Sequence, residues 1–294
     1  MSMESMDDRR KADAAVDSLQ SRMTEASSLG DEGEWAGALE ILLDLEEKHP
    51  NDAVLMCMIG VAARESGADG MAYDFFRRCV ALEPSDPVLL TTAGMGIAAS
   101  ADPDAERVLR LAAISAPTVL DTRRNYGIFL ARQGLYAAAI DELEAARALD
   151  SADLEVRFEL GVACFLAGRI EEGLEHLGEA LGRDESDPWE QALYGLALAE
   201  TDRLEESAEQ LHAASVVLVE DWEIQAAAAL AAAAVEWADA SWDALSRADL
   251  SEGADRALLR EVEERIDQGA DSAREFLCNE MAAPLLRERL RDRG

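Results

Sequence analysis

Histidines, cysteines and paired carboxylates are the side chains that could carry chemistry, so their spacing decides whether a reactive site is to be expected. The three histidines, His49, His176 and His212, fall far apart, and no two could share a metal through local spacing. Cys57, Cys79, Cys164 and Cys278 include no Cys-x-x-Cys pair and have no histidine at ligand spacing, which reads as small buried apolar residues in a reducing compartment. Glu171-Glu172 and Glu205-Glu206 invite a general acid and base reading, but acids at helix starts are stabilised by the helix dipole alone. Gly94-Met95-Gly96 resembles a phosphate loop only superficially, because no strand precedes it and no Gly-Lys-Ser or Gly-Lys-Thr follows. The expectation is a protein without catalytic residues, cofactor or metal, and not an enzyme.

The charge narrows the partners. Sixty-one acidic residues against 27 basic ones give a formal net charge of -34 over 294 residues, a field that repels nucleic acid and anionic membranes. Only Lys11 and Lys48 are lysines, so the cations are nearly all arginine. Neither a signal peptide nor a membrane span is legible, and the expected location is the cytoplasm. A protein or peptide is the remaining partner class, with its identity and the oligomeric state left open. Apolar residues make up 49% of the chain and aromatics 5%, which favours closely packed helices.

The elements that position these side chains repeat. Gly60, Gly94, Gly127, Gly161 and Gly195 recur at intervals of 34, 33, 34 and 34 residues within helix-period patterns. About twelve residues after each glycine comes a triplet on one helix face: Ala72, Phe76, Cys79; Ala105, Leu109, Ala112; Ala139, Leu143, Ala146; Gly173, Leu177, Ala180; Ser207, Leu211, Ala214. The glycine admits the second helix of its own hairpin, and the small pair of the triplet is read as room for the first helix of the next hairpin. Gly33, Gly67, Gly134 and Gly168 mark the ends of first helices.

This pattern resembles the tetratricopeptide repeat, most closely over residues 120–153, where Tyr126-Gly127, Gly134, Tyr136, Ala139, Ile140, Leu143 and Ala146 fall on that family's signature positions. Its closing proline is present as Pro50, Pro84 and Pro117 and is replaced by Ser151. The resemblance implies an all-α, right-handed superhelical solenoid of about seven helix-turn-helix repeats, at 19–52, 53–86, 87–119, 120–153, 154–187, 188–221 and 222–255. A polar, partly helical segment is expected at 1–18 and capping helices at 256–294, over Ala257–Ile266 and Ser272–Arg291.

In this family the first helices line a concave groove. Carried over, the groove positions give Val61, Arg64, Met95, Arg124, Ile128, Phe158, Val162, Phe165, Trp189 and Leu196 as peptide- or protein-binding residues, with Val54, Cys57, Val88 and Thr91 among their neighbours. Phe158, Phe165 and Trp189 are the expected anchors, although Phe158 and Trp189 are read equally well as packing between repeats. A carboxylate clamp would need several cations in the groove, and only Arg64 and Arg124, with Arg123 and Asn125 beside the latter, approach one. The implied function is a scaffold or adaptor holding a peptide, helix or protein in an apolar groove. The alternative is a regulatory or chaperone subunit of a separately encoded effector enzyme or secretion system, contacted through the acidic surface.

Overall fold

A computed structural model of the chain describes residues 19–182 and 187–292, with side chains as far as residue 290. The segment expected at 1–18 and the last of the C-terminal arginines, Arg293, lie outside the described residues. Every regular element among the described residues is helical. They form two compact units that divide after Ser151. Unit 1 contains α1 (residues 19–31), α2 (Trp35–Glu46), α3 (Ala53–Glu65), α4 (Asp69–Ala81), α5 (Pro87–Ala98), α6 (Ala105–Ser115), α7 (Leu120–Arg132) and α8 (Tyr136–Leu149). Unit 2 contains α9 (Leu154–Leu166), α10 (Ile170–Ala180), α11 (Pro188–Glu200), α12 (Leu204–Val217), α13 (Trp222–Ala234), α14 (Ala238–Leu250), α15 (Arg256–Asp267), α16 (Ala270–Phe276) and α17 (Ala282–Asp292). A π-helical turn, Leu277–Met281, joins the last two.

Helices this short are marginal alone in water, so packing must hold them. Consecutive helices pack as antiparallel hairpins: α3 with α4, α5 with α6, α7 with α8, α9 with α10, α11 with α12, and α13 with α14. The periodic glycines make the close approach possible. A Cβ built on Gly60 would meet the Phe76 ring at 2.7 Å, and on Gly94, Gly127, Gly161 and Gly195 it would meet Leu109, Leu143, Leu177 and Leu211 at 2.7 to 2.8 Å. The large middle residue of each triplet therefore sits directly on the glycine of its own hairpin.

The first small residue of the triplet is placed differently from the sequence reading. It faces its own hairpin rather than the next one. A Cβ on Gly173 would meet the backbone nitrogen of Phe165 at 2.7 Å and the carbonyl oxygen of Gly161 at 2.9 Å. Ser207 and Ser241 donate their hydroxyls to the carbonyl oxygens of Gly195 and Ala229 at 2.8 and 2.9 Å. The reason is steric: the helix axes converge at this level, and only a small side chain, or one that hydrogen-bonds to the facing backbone, fits between them.

Two devices set the hairpin ends. Aspartates cap the first helices: Asp52, Asp86, Asp153, Asp187 and Asp221 each accept a hydrogen bond from a backbone N–H of the first turn, and Asp255 does the same for α15. Between the helices of each hairpin one residue is left-handed, at 33, 67, 101, 134, 168, 202 and 236. Glycine fills four of these positions, whereas Ala101, Asp202 and Glu236 hold φ values of 54° to 62° against the usual preference.

In unit 2, α15 packs on α13 and α14, and the chain then reverses at Gly269. From there α16 packs on α13, the π turn on α11 and α13, and α17 on α11.

Candidate partner-binding site

The first helices of unit 1, α3, α5 and α7, present the sequence-predicted residues on one face. Val54 and Val88 are 43% and 53% exposed, and Val61 and Met95 one turn pair further along are half-buried. Cys57 and Thr91, which lie between them, are buried, and Thr91 returns its hydroxyl to the carbonyl of Pro87 at 2.8 Å. Ile128 is buried. The face is thus apolar and accessible along α3 and α5.

The cations at its margin are engaged within the chain. Arg64 pairs with Glu65 at 2.8 Å, Arg124 with Asp121 at 2.9 Å, and Arg123 with Glu142 at 2.5 Å. The Asn125 amide donates to the carbonyl of Asp121 at 2.7 Å. A carboxylate clamp built on these residues would first have to strip each of them from its partner.

In unit 2 the corresponding face is covered by the chain itself. Phe158, Val162, Phe165 and Leu196 are buried, and Trp189 is half-buried against the same core. Val162, Phe165, Leu193 and Ala197 meet Leu286 and Leu290 of α17 across an apolar seam of about 10 Å³, which is about the least that can take a water. Arginines of the C-terminal helices reach carboxylates around it. Arg287 pairs with Glu200 at 2.9 Å, Arg289 lies 2.7 Å from both Asp221 and Glu223, and Arg274 pairs with Asp202. The Arg274 guanidinium holds the Asp202 carboxyl below its usual range, chiefly by hydrogen bonding. Asp221 serves twice, since its carboxylate also caps α13 through the Ile224 N–H at 3.2 Å.

No protein-family model matches the sequence, and no curated protein matches it. Solved structures do. A chain of the APC/C hetero-tetramer Cut9–Hcn1 is similar over 82% of this chain and 48% of its own length, with 19% identity and a TM-score of 0.65. PilF of Pseudomonas aeruginosa is similar over 72% of this chain and 96% of its own, with 16% identity and a TM-score of 0.60. The C-terminal part of a TPR repeat-containing protein from Cytophaga hutchinsonii is similar over 82% and 98%, with 14% identity and a TM-score of 0.54. The chain has the tetratricopeptide-repeat fold. At these identities the likeness is one of fold, and the chain spans about half the length of the Cut9–Hcn1 chain it matches.

Within the tetratricopeptide array, equivalent positions meet different surroundings. Val61, Met95, Ile128, Val162 and Leu196 each follow the hairpin glycine by one residue; the first two are half-buried and the last three buried. Their common position is legible in the sequence, whereas the cover that α17 places over Val162 is not. A further surface was not foreseen: a cleft of about 600 Å³ between α14 and α15, lined by Trp242, Leu245, Leu250, Leu259, Arg256 and Arg260, with Leu250 84% exposed. The sequence holds no distinct signal for it, since Ile114 and Val216 stand at the same offset from Ala112 and Ala214 as Leu250 does from Ala248. Among the described residues no helix is long and apolar enough to cross a membrane.

Proposed function

We propose that this chain is a protein-interaction scaffold that receives a partner's peptide or helix on the first-helix face of unit 1. The observation that carries the reading is the row formed by Val54, Val61, Val88 and Met95, apolar side chains with two of them about half exposed on a chain of net charge -34. Exposed apolar groups that recur on one face are the usual substrate of helix-in-groove recognition. The similar Cut9–Hcn1 structure is a hetero-tetramer, so a bearer of this fold acts there inside an assembly.

The test is affinity capture from an extract of the source cells with the wild-type chain and with Val54→Asp/Val88→Asp. Both positions are exposed, so the variant keeps its helical spectrum. Loss of specific partners from the variant supports the reading, and an unchanged set of captured proteins overturns it.

A further inference from the structure

We infer that the first-helix face of unit 2 is a second, helix-binding site, and that α17 is its exchangeable resident, displaced by a partner's amphipathic helix carrying leucines beside arginines.

The C-terminal segment of unit 2 stands on two footings. Ala273, Phe276 and Leu277 are buried in the core of unit 2, where α16 and the start of the π turn pack on α13. Beyond the turn, α17 packs on α11 instead. The junction between these footings is the π turn, whose Leu277 and Met281 are buried. A π turn departs from the regular hydrogen-bond ladder, and Pro284, three residues past it, has no N–H to restore one. A break at this joint releases α17 and leaves α16 seated.

The polar contacts of α17 suit exchange. Arg287 is about half exposed where it meets Glu200, and Arg289, Asp221 and Glu223 keep 22% to 28% of their side-chain surface in water. The Arg287 pair, about half in water on the arginine side, contributes little and is screened by salt, whereas the partly buried Arg289 pairs are screened less. The apolar contacts of α17 are made by Ala282, Leu285 and Leu286, which are buried, and by Leu290; Leu286 and Leu290 stand four residues apart and so share one face, a pattern another helix can carry.

With α17 away, the site is an apolar floor of Val162, Phe165, Leu193 and Ala197 with Glu200, Asp221 and Glu223 near it. That combination selects its occupant. Leucines at i and i+4 fill the floor, and arginines meet the carboxylates, whereas an acidic helix would set like charges against them. The chemistry of the partner is therefore legible on α17. This site is independent of the one proposed in unit 1.

The experiment uses the full chain and a fluorescent peptide of residues 280–294 as probe. In Arg287→Glu/Arg289→Glu the resident helix loses the two cations that meet Glu200, Asp221 and Glu223, while the floor and the carboxylates stay intact. The expected results are at least tenfold tighter probe binding than by wild type, and at least tenfold faster amide exchange over 282–292 with 270–276 unchanged. Adding Glu200→Arg to the variant should restore part of the protection by pairing with the new glutamate at 287. Three outcomes overturn the proposal. The first is unchanged exchange without gain of binding, which makes α17 a fixed part of the core. The second is loss of protection through 270–292 and α11 together, which makes it a structural brace. The third is equal binding of a probe whose arginines are replaced by glutamine, which removes the basic partner.

Discussion

Asp202 closes the α11–α12 hairpin in the left-handed conformation, with φ at 62°, and its carboxylate holds Arg274 of α16, 72 residues further along the chain. One residue thus carries backbone strain and a long-range ion pair at once. Asp202→Asn keeps the strain and weakens the pair, so its melting temperature should fall. Asp202→Gly loses the pair but relieves the turn, and should melt above Asp202→Asn. Thermal unfolding of both variants checks the order.

The same pair fixes a pH dependence. The Asp202 carboxyl lies below its usual value because Arg274 favours the charged form. The sign follows: its contribution is fully present above the unfolded value of about 3.9 and is lost as pH falls through the lowered folded value. Acid titration of the wild type should show a step in helical signal below about pH 4 that is reduced in Arg274→Ala. An identical step in both proteins would contradict the assignment.

Glycines that look alike in the sequence should respond differently to alanine. At Gly173 an added Cβ meets backbone atoms of Phe165 and Gly161 within 2.9 Å, which cannot move aside as a side-chain tip can, so Gly173→Ala should cost about 1–3 kcal/mol. Gly70, near the start of α4, has nothing within 4 Å of the built Cβ, and Gly70→Ala should stabilise by about 0.5 kcal/mol. Urea denaturation separates the two.

Helix α7 is the one first helix from α3 to α13 whose start lacks a capping side chain, since Val119 stands where aspartate stands elsewhere. Its backbone is already extended, as an N-cap requires. Val119→Asp should therefore stabilise the chain by about 0.5–1 kcal/mol, and Asp153→Ala should destabilise it by about 1 kcal/mol. Equilibrium unfolding in urea measures both.

Gln225 is fully buried and joins three elements. Its amide donates to the carbonyls of Ser215 and Leu218 at 2.6 and 2.9 Å, and its oxygen accepts from Arg247 Nε at 2.9 Å. Gln225→Leu leaves all three partners short of a bond and should cost about 2–3 kcal/mol. A variant as stable as wild type would mean that water replaces the side chain.

The repeat was readable because it rests on steric necessity within a hairpin. Gly127 and Leu143 are twinned by contact, and that contact recurs wherever the same pair of types recurs. The state of the binding face was not readable by the same route. Val61 and Val162 occupy one position of the pattern, yet Val162 faces Leu286 and Leu290, more than 120 residues away and outside the periodic region. Trp189 shows the same limit from another side: its neighbour Asp187 is a cap, which the local sequence announces, while the local sequence leaves groove and core equally open for the indole, which packs against the unit 2 core. Local pattern specifies the hairpin, and long-range cover decides what the hairpin offers.

The capping aspartates have a consequence for the charge of the whole protein. Asp52 and Asp86 stand 34 residues apart, and so do Asp153, Asp187, Asp221 and Asp255 in turn. A chain lengthened by copying such a unit acquires one more carboxylate with each copy, whatever it binds. Part of the acidity therefore scales with the number of hairpins, and charge compared between arrays of different length should be normalised per hairpin before it is taken as a sign of their partners.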